Sequence, residues 1–196
     1  MPSSSSGQPD LEPVDDASTR QRILVATAEV MGRHGMTKLS LSEVAIEAGV
    51  SRPTLYRWFA SKKDLLDAYV VWERSLYERA VANATAGLAP SEKLDAVLRV
   101  IAAGQQSYPG LRMVDIEPAQ VIKRLSRVIP PMRAGIEKLL PGPHGATAAA
   151  AVVRVAISHY LVRSDDADEF LTQLRHAAGI KPPPSISARE AGAIAG

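Results

Sequence analysis

The 196-residue chain contains no cysteine. That absence removes a disulfide framework, a thiolate metal site and a cysteine nucleophile together. Long uninterrupted apolar runs are missing too, and Met1–Leu11 lacks the pattern of a secretory signal. A soluble, cytoplasmic protein with no membrane association is therefore expected. Catalytic machinery is equally scarce. His34, His144, His159 and His176 are scattered, with no HxxxE, HExxH or glycine-rich phosphate loop around them. Nothing pairs a nucleophile with a base and an orienting group, so no catalytic residue, cofactor or metal is expected. Arg112, Asp115 and Glu117 form a polar knot that turn solvation explains. Strand patterns and internal repeats are also absent, and the fold expected is all-α.

What the chain does have is enough apolar content, 46%, to build a core. Its length suits one mid-sized domain or a small domain fused to a larger one. The net charge of +2 becomes informative once divided along the chain. Residues 19–63 hold eight cations (Arg20, Arg22, Arg33, Lys38, Arg52, Arg57, Lys62, Lys63) against three acids (Glu29, Glu43, Glu47), a net +5. Residues 1–18 hold only Asp10, Glu12, Asp15 and Asp16, and the remainder is near neutral. Positive charge is thus concentrated on one short stretch, as a phosphate-binding surface requires.

That stretch contains SLSEVAIEAGVSRPTLYRWF, Ser40 to Phe59. Ser40 and Glu43 have the spacing of a capping box, and Val44, Ala45 and Ala48 give the helix that follows one apolar face. Gly49 stands where a helix C-terminus favours a left-handed residue, and Val50 plugs the turn. Ser51 can cap a second helix, whose first turn tolerates Pro53 because the amides there have no intrahelical partner. Leu55 and Phe59, four apart, point inward. Arg52, Thr54, Tyr56, Arg57 and Trp58 share the outer face and its flanks. Arginine can fork onto a guanine edge, threonine can touch a thymine methyl, and a tyrosine hydroxyl can bond a phosphate. The alternative for Tyr56 and Trp58 is packing in a small helical core, a reading that fits Trp58 better than Tyr56. The whole is helix-turn-helix grammar and points to DNA.

The segment SEVAIEAGVSRPTLYRWFASKKDLLDAYV resembles the N-terminal domain of the TetR family of bacterial transcriptional regulators. The resemblance rests on Ser40, Val44-Ala45, Ala48-Gly49-Val50-Ser51, Thr54-Leu55-Tyr56, Phe59 and Ser61-Lys62-Lys63 before Leu65. Upstream, TRQRILVATAEVMGRHGMTKLSL matches the family's first helix and the loop after it. The likeness covers residues 17–77, about a third of the chain. Pro53 replaces the usual Gly or Ala, and Trp58 stands where Tyr or His is usual. The resemblance implies a homodimer on double-stranded DNA, most simply a repressor released by a small, mainly apolar effector. An activator or an effector-independent regulator would use the same DNA module, and a helical interaction protein that binds no DNA is the alternative of another class.

The candidate DNA-binding residues are Ser42, Ser51, Arg52, Pro53, Thr54, Tyr56, Arg57 and Lys62. The resemblance also implies an effector pocket, for which Trp72, Tyr108, Met113, Leu125, Met132, Ile157 and His159 are candidates. It further implies a dimer interface on the last two helices, for which Val152, Val155, Ala156, Phe170, Leu171 and Leu174 are candidates.

Along the chain, residues 1–16 read as a disordered extension, 17–77 as the helix-turn-helix domain, 78–180 as the effector and dimerisation domain, and 181–196 as a flexible tail. About nine helices are expected. The first runs from Thr19 to His34, opened by a Ser18–Gln21 capping box and ended by Gly35. Ser61 to Asp64 opens a long fourth helix with Leu65, Tyr69, Trp72 and Leu76 on one face. Ser91–Ser107 forms the fifth, and a short turn spans Leu111–Asp115. Pro118 opens another helix that Pro130-Pro131 kinks or splits. An Ala-rich helix spans His144–Arg163, and Ser164 caps the last, Asp165–Ala178.

Overall fold

A computed structural model of the protein describes residues 16–107, 113–162 and 167–180. Tyr108, Arg112, Arg163, Ser164, residues 1–15 of the expected 1–16 extension and the expected tail 181–196 lie outside the described residues, whereas Asp16 belongs to α1. Among those described, the architecture is all-helical: α1 (Asp16–Lys38), α2 (Leu41–Glu47), α3 (Arg52–Trp58), α4 (Lys62–Thr85), α5 (Pro90–Ser107), α6 (Met113–Ile116), α7 (Pro118–Glu137), α8 (Gly145–Leu161) and α9 (Ala167–Ala177). None of these helices is long and apolar enough to cross a membrane.

The helix ends follow the local chemistry, with three departures. Gly35 breaks α1, its φ of 80° and ψ of 170° lying outside helical values. The start of α1 is earlier than expected: the helix takes in Asp16 to Ser18, so Ser18 is inside it and cannot open a capping box. Ser40 is the extended N-cap of α2 but its side chain makes no capping bond. Only its carbonyl closes the turn, accepting from the Val44 amide at 3.0 Å. The third departure is α7, which runs through Pro130 and Pro131 without a break. Each ring removes one amide donor, and both prolines are exposed, where water can serve the carbonyls left over.

Two apolar clusters organise these helices. The first joins Ile23, Leu24, Val30 and Met31 of α1 to Val44 and Ala45 of α2, Leu55 of α3, Phe59, and Leu65 and Tyr69 of α4. It also includes Met113 of α6 and Val121 of α7. The second joins Leu94, Leu98 and Ile101 of α5 to Ile136 of α7, Ala149, Val152 and Ala156 of α8, and Phe170 and Leu174 of α9. Helix α7 therefore has one end in each cluster. Between α5 and α9 the Arg175 guanidinium grips Asp95 with bonds of 2.6 and 3.1 Å, and Arg99 adds a third at 2.8 Å.

Candidate nucleic-acid interface

The α2–turn–α3 unit is built from a few closures. Gly49 adopts φ 63°, the left-handed conformation that lets the chain leave α2. Ser51 Oγ accepts from the Thr54 amide at 3.2 Å and meets the Thr54 hydroxyl at 2.8 Å. At the next junction Ser61 Oγ accepts from the Asp64 amide at 3.1 Å and donates to the Asp64 carboxylate at 2.8 Å. Arg22, on α1, reaches the turn from outside it. Its Nη2 donates to the carbonyls of Ala48 and Gly49 at 2.7 and 3.1 Å, capping the end of α2. No local pattern marks this role, because the partners lie 26 and 27 residues away.

Leu55 and Phe59 are buried, and their burial fixes which face of α3 points outward. Ser51, Arg52, Pro53, Tyr56 and Arg57 are exposed, while Ser42 on α2 and Thr54 are half-buried at the flanks. Trp58 belongs to the inside: it packs against the first cluster with its Nε1 shielded from solvent.

The eight cations of the module divide in a way the count alone does not reveal. Arg22 is committed to the turn, Arg33 pairs with Glu47 across α1 and α2, and Lys63 pairs with Asp67 at 2.6 Å. The Arg20 guanidinium lies 5.9 Å from the centre of the Phe59 ring. Lys62 is half-buried, and its Nζ donates to the Thr37 carbonyl at 2.8 Å. Lys38, Arg52 and Arg57 are exposed, with no ion pair or hydrogen bond among the described residues. Two of those three lie on α3.

Glu117, the residue before α7, is not occupied with solvating its own turn. Its carboxylate accepts from the Met36 and Thr37 amides at 2.8 and 3.0 Å, about eighty residues back along the chain. Burial pushes this carboxyl up, but the hydrogen bonds from Thr37 and Met36 and the nearby Lys62 ammonium outweigh it and hold the group below the usual glutamate range.

The residues considered for a pocket are distributed over both clusters. Trp72, Met113 and Leu125 pack with the first, Met132 and Ile157 with the second, and His159 stacks on Phe170 with ring centres 3.8 Å apart. Tyr108 lies outside the described residues. Of the residues considered for a dimer interface, Val152, Ala156, Phe170 and Leu174 are fully buried within this chain and hold α8 to α9. Their apolar surface is already spent on the chain's own core. Val155 and Leu171 are half-buried and keep some surface for a partner.

This geometry, a capped pair of short helices with cations on the outer face of the second, defines a helix-turn-helix protein. Residues 23–69 match the family model described as Bacterial regulatory proteins, tetR family. The HTH-type transcriptional regulator BetI of Agrobacterium fabrum is 33% identical over 91 residues, covering 46% of this chain and 44% of that protein. BetI of Rhizobium meliloti is 34% identical over 103 residues, covering 50% and 47%. The chain thus spans about half the length of the curated relatives it matches. Solved structures extend the likeness of fold. A TetR-family transcriptional regulator from Streptomyces coelicolor superposes with a TM-score of 0.66 at 21% identity, over 82% of this chain and 94% of that one. FadR from Bacillus subtilis, in complex with stearoyl-CoA, gives a TM-score of 0.62 at 15% identity, over 83% and 98%. Residues 23–69 thus carry a DNA-binding domain of the TetR type, and the described helices share the fold of solved TetR-family regulators.

Proposed function

We propose that this protein regulates transcription by binding double-stranded DNA as a homodimer, and that it is a repressor released by a small, mainly apolar effector. The observation that carries the DNA assignment is the outer face of α3, where Arg52 and Arg57 flank Tyr56 and are exposed without protein partners among the described residues. An unpaired arginine on a short, rigidly seated helix is what major-groove readout and phosphate anchoring require. Residues 17–77 form the DNA-binding unit in this reading, and residues 78–180 the effector-binding and dimerisation unit. Ser42, Ser51, Thr54, Pro53 and Lys62 line the flanks of the contact.

The dimer follows from information content. One recognition helix reads about four or five base pairs, too few for a unique site, and two-fold pairing doubles that. In this chain the exposed side of α8 and α9, where Val155 and Leu171 surface, is the face offered to a second copy. An apolar effector suits the half-buried Trp72, Leu125, Met132 and Ile157, which lie on helices connecting the two clusters. A neighbour of the same fold that holds stearoyl-CoA supports that chemistry.

Selection of duplexes from a random pool by the purified chain is the direct test. An inverted repeat should emerge. On that duplex Arg52→Ala should cost about 1–3 kcal/mol of affinity while binding to mixed-sequence DNA changes little. Equal losses on both would make Arg52 a phosphate contact, and failure to enrich any duplex would end the DNA reading.

A further inference from the structure

Polar contacts tie the second half of the chain to the DNA-binding half: Arg124 of α7 pairs with Glu73 of α4, and a carboxylate reaches farther, to α1. Glu117 stands at the α6–α7 junction, and its two carboxylate oxygens accept the Met36 and Thr37 amides. Gly35, just before them, has φ 80°. A methyl group on Gly35 would lie 2.6 Å from the Glu117 Cδ, so glycine and glutamate are packed as a matched pair. The same short segment is held from its other side, because Lys62, the first residue of α4, donates to the Thr37 carbonyl at 2.8 Å. The end of α1 beyond the Gly35 break, which leads into α2, is therefore clamped by a carboxylate from the second half and an ammonium from the start of α4.

The surroundings make this a firm contact and not a chance surface bond. Met113 and Val121, on either side of Glu117, are both buried in the first cluster. They seat the α6–α7 corner against α1 and aim the carboxylate at the Met36 and Thr37 amides. Lys62 has three donors and uses one on Thr37, which leaves two for a phosphate oxygen at the N-terminus of α4.

Resting on the DNA-binding reading above, we propose that Glu117 is a positioning residue: it fixes the end of α1 that leads into α2, and through Thr37 the Lys62 ammonium, in the arrangement that engages DNA. Any shift of α7 relative to α1 withdraws the carboxylate, frees the segment and moves the cation. Changes in the second half thereby reach the DNA face along a route separate from the length of α4.

The experiment compares the full-length chain with Glu117→Ala, Glu117→Gln, Lys62→Met and the Glu117→Ala/Lys62→Met double variant. Amide hydrogen exchange is read at Met36 and Thr37, with Val152 in the second cluster as the internal control. Loss of bonds to a charged acceptor should speed exchange at Met36 and Thr37 roughly ten-fold in the alanine variant and leave Val152 protected. The glutamine variant fills the same space and keeps one carbonyl oxygen, so it should protect one of the two amides and serves if the alanine variant folds poorly. Affinity is measured on the duplex that the wild-type chain selects from a random pool. Glu117→Ala should weaken that binding about five- to ten-fold, and, because Lys62 meets a phosphate, binding to mixed-sequence DNA should fall by a similar factor. The double variant should lose no more than Lys62→Met alone. Unchanged exchange at both amides overturns the clamp, and fully additive losses overturn its action through Lys62. A wild-type chain that selects no duplex overturns the DNA reading itself, whereas normal selection with unaffected Glu117 variants overturns only the role given to Glu117.

Discussion

The two apolar clusters are held together by different means. In the first, the junctions on either side of α3 are closed by directed polar contacts: Ser51 on Thr54, Ser61 on Asp64, Arg22 on the end of α2. In the second, mainly aliphatic side chains pack around Phe170, and the polar ties described join helix to helix: Gln105 of α5 donates to the Ala156 carbonyl of α8 at 2.9 Å, and Arg175 of α9 holds Asp95 of α5. Hydrogen-bonded turns have one geometry, while packed helix faces can slide by small amounts. A surface that must meet a fixed lattice of phosphates gains from the first kind of construction. A region that changes shape needs the second.

The contrast can be broken most forcefully in the second cluster. Phe170 is fully buried and carries the His159 stack, so Phe170→Ala should cost about 3–5 kcal/mol. If the halves are as differently built as described, amide protection at Leu55 in the first cluster outlasts protection at Val152 during denaturant titration. Simultaneous loss would mean that the halves unfold as one. Next comes Arg22→Ala, which leaves the Ala48 and Gly49 carbonyls without their charged donor and should cost about 1.5–3 kcal/mol in a melting experiment. Arg22→Lys keeps the charge without the fork and should recover only part of it. Full recovery would show that charge, not directed bonding, matters at the turn.

A smaller effect is expected at Asp95. The Arg175 hydrogen bond, offset by burial and reinforced by Arg99, holds its carboxyl below the usual aspartate range. A depressed carboxylate contributes stability that is present above its unfolded pKa, about 3.9, and is lost as pH falls through the lower folded value. Asp95→Asn should cost about 1–2 kcal/mol at neutral pH, and the difference from wild type should vanish in acid. A gap that persists at pH 2 would assign the loss to packing. Least of all, removing the exposed Arg74–Glu78 pair along α4 should change stability by less than about 0.5 kcal/mol.

The difference between the halves also governs what could be read from the residues alone. Local grammar placed the start of α3, because Gly49, Ser51 and Pro53 each have a position-specific backbone reason to be there. Leu55 and Phe59 then oriented it. Ser40 and Ser18 carried the same letters without the bonds, since a capping spacing does not settle where the helix begins. Pro130-Pro131 suggested a break, yet an exposed pair of prolines is tolerated within α7. Trp58 stayed ambiguous until its contacts with the first cluster were seen. Arg22 and Glu117 were beyond sequence reading for a common reason: their partners are backbone atoms far along the chain, and a carbonyl or amide leaves no mark in a residue pattern. The buried Val152, Ala156, Phe170 and Leu174 illustrate the converse, because periodicity finds a helix's apolar face but cannot say whether its own chain or a second copy covers it.

Helix α7, with Val121 in one cluster and Ile136 in the other, bears on whether the protein can be divided. Cutting after α4 would remove Met113 and Val121 from beneath α1 and leave an open apolar floor under the recognition unit. A fragment ending at Thr85 should accordingly be a loosely packed species that binds hydrophobic dyes, although it contains every residue proposed to meet DNA. The smallest piece of this chain able to hold α3 in place then extends well past the helices that would touch the duplex, into the α7 segment that also reports on the other half.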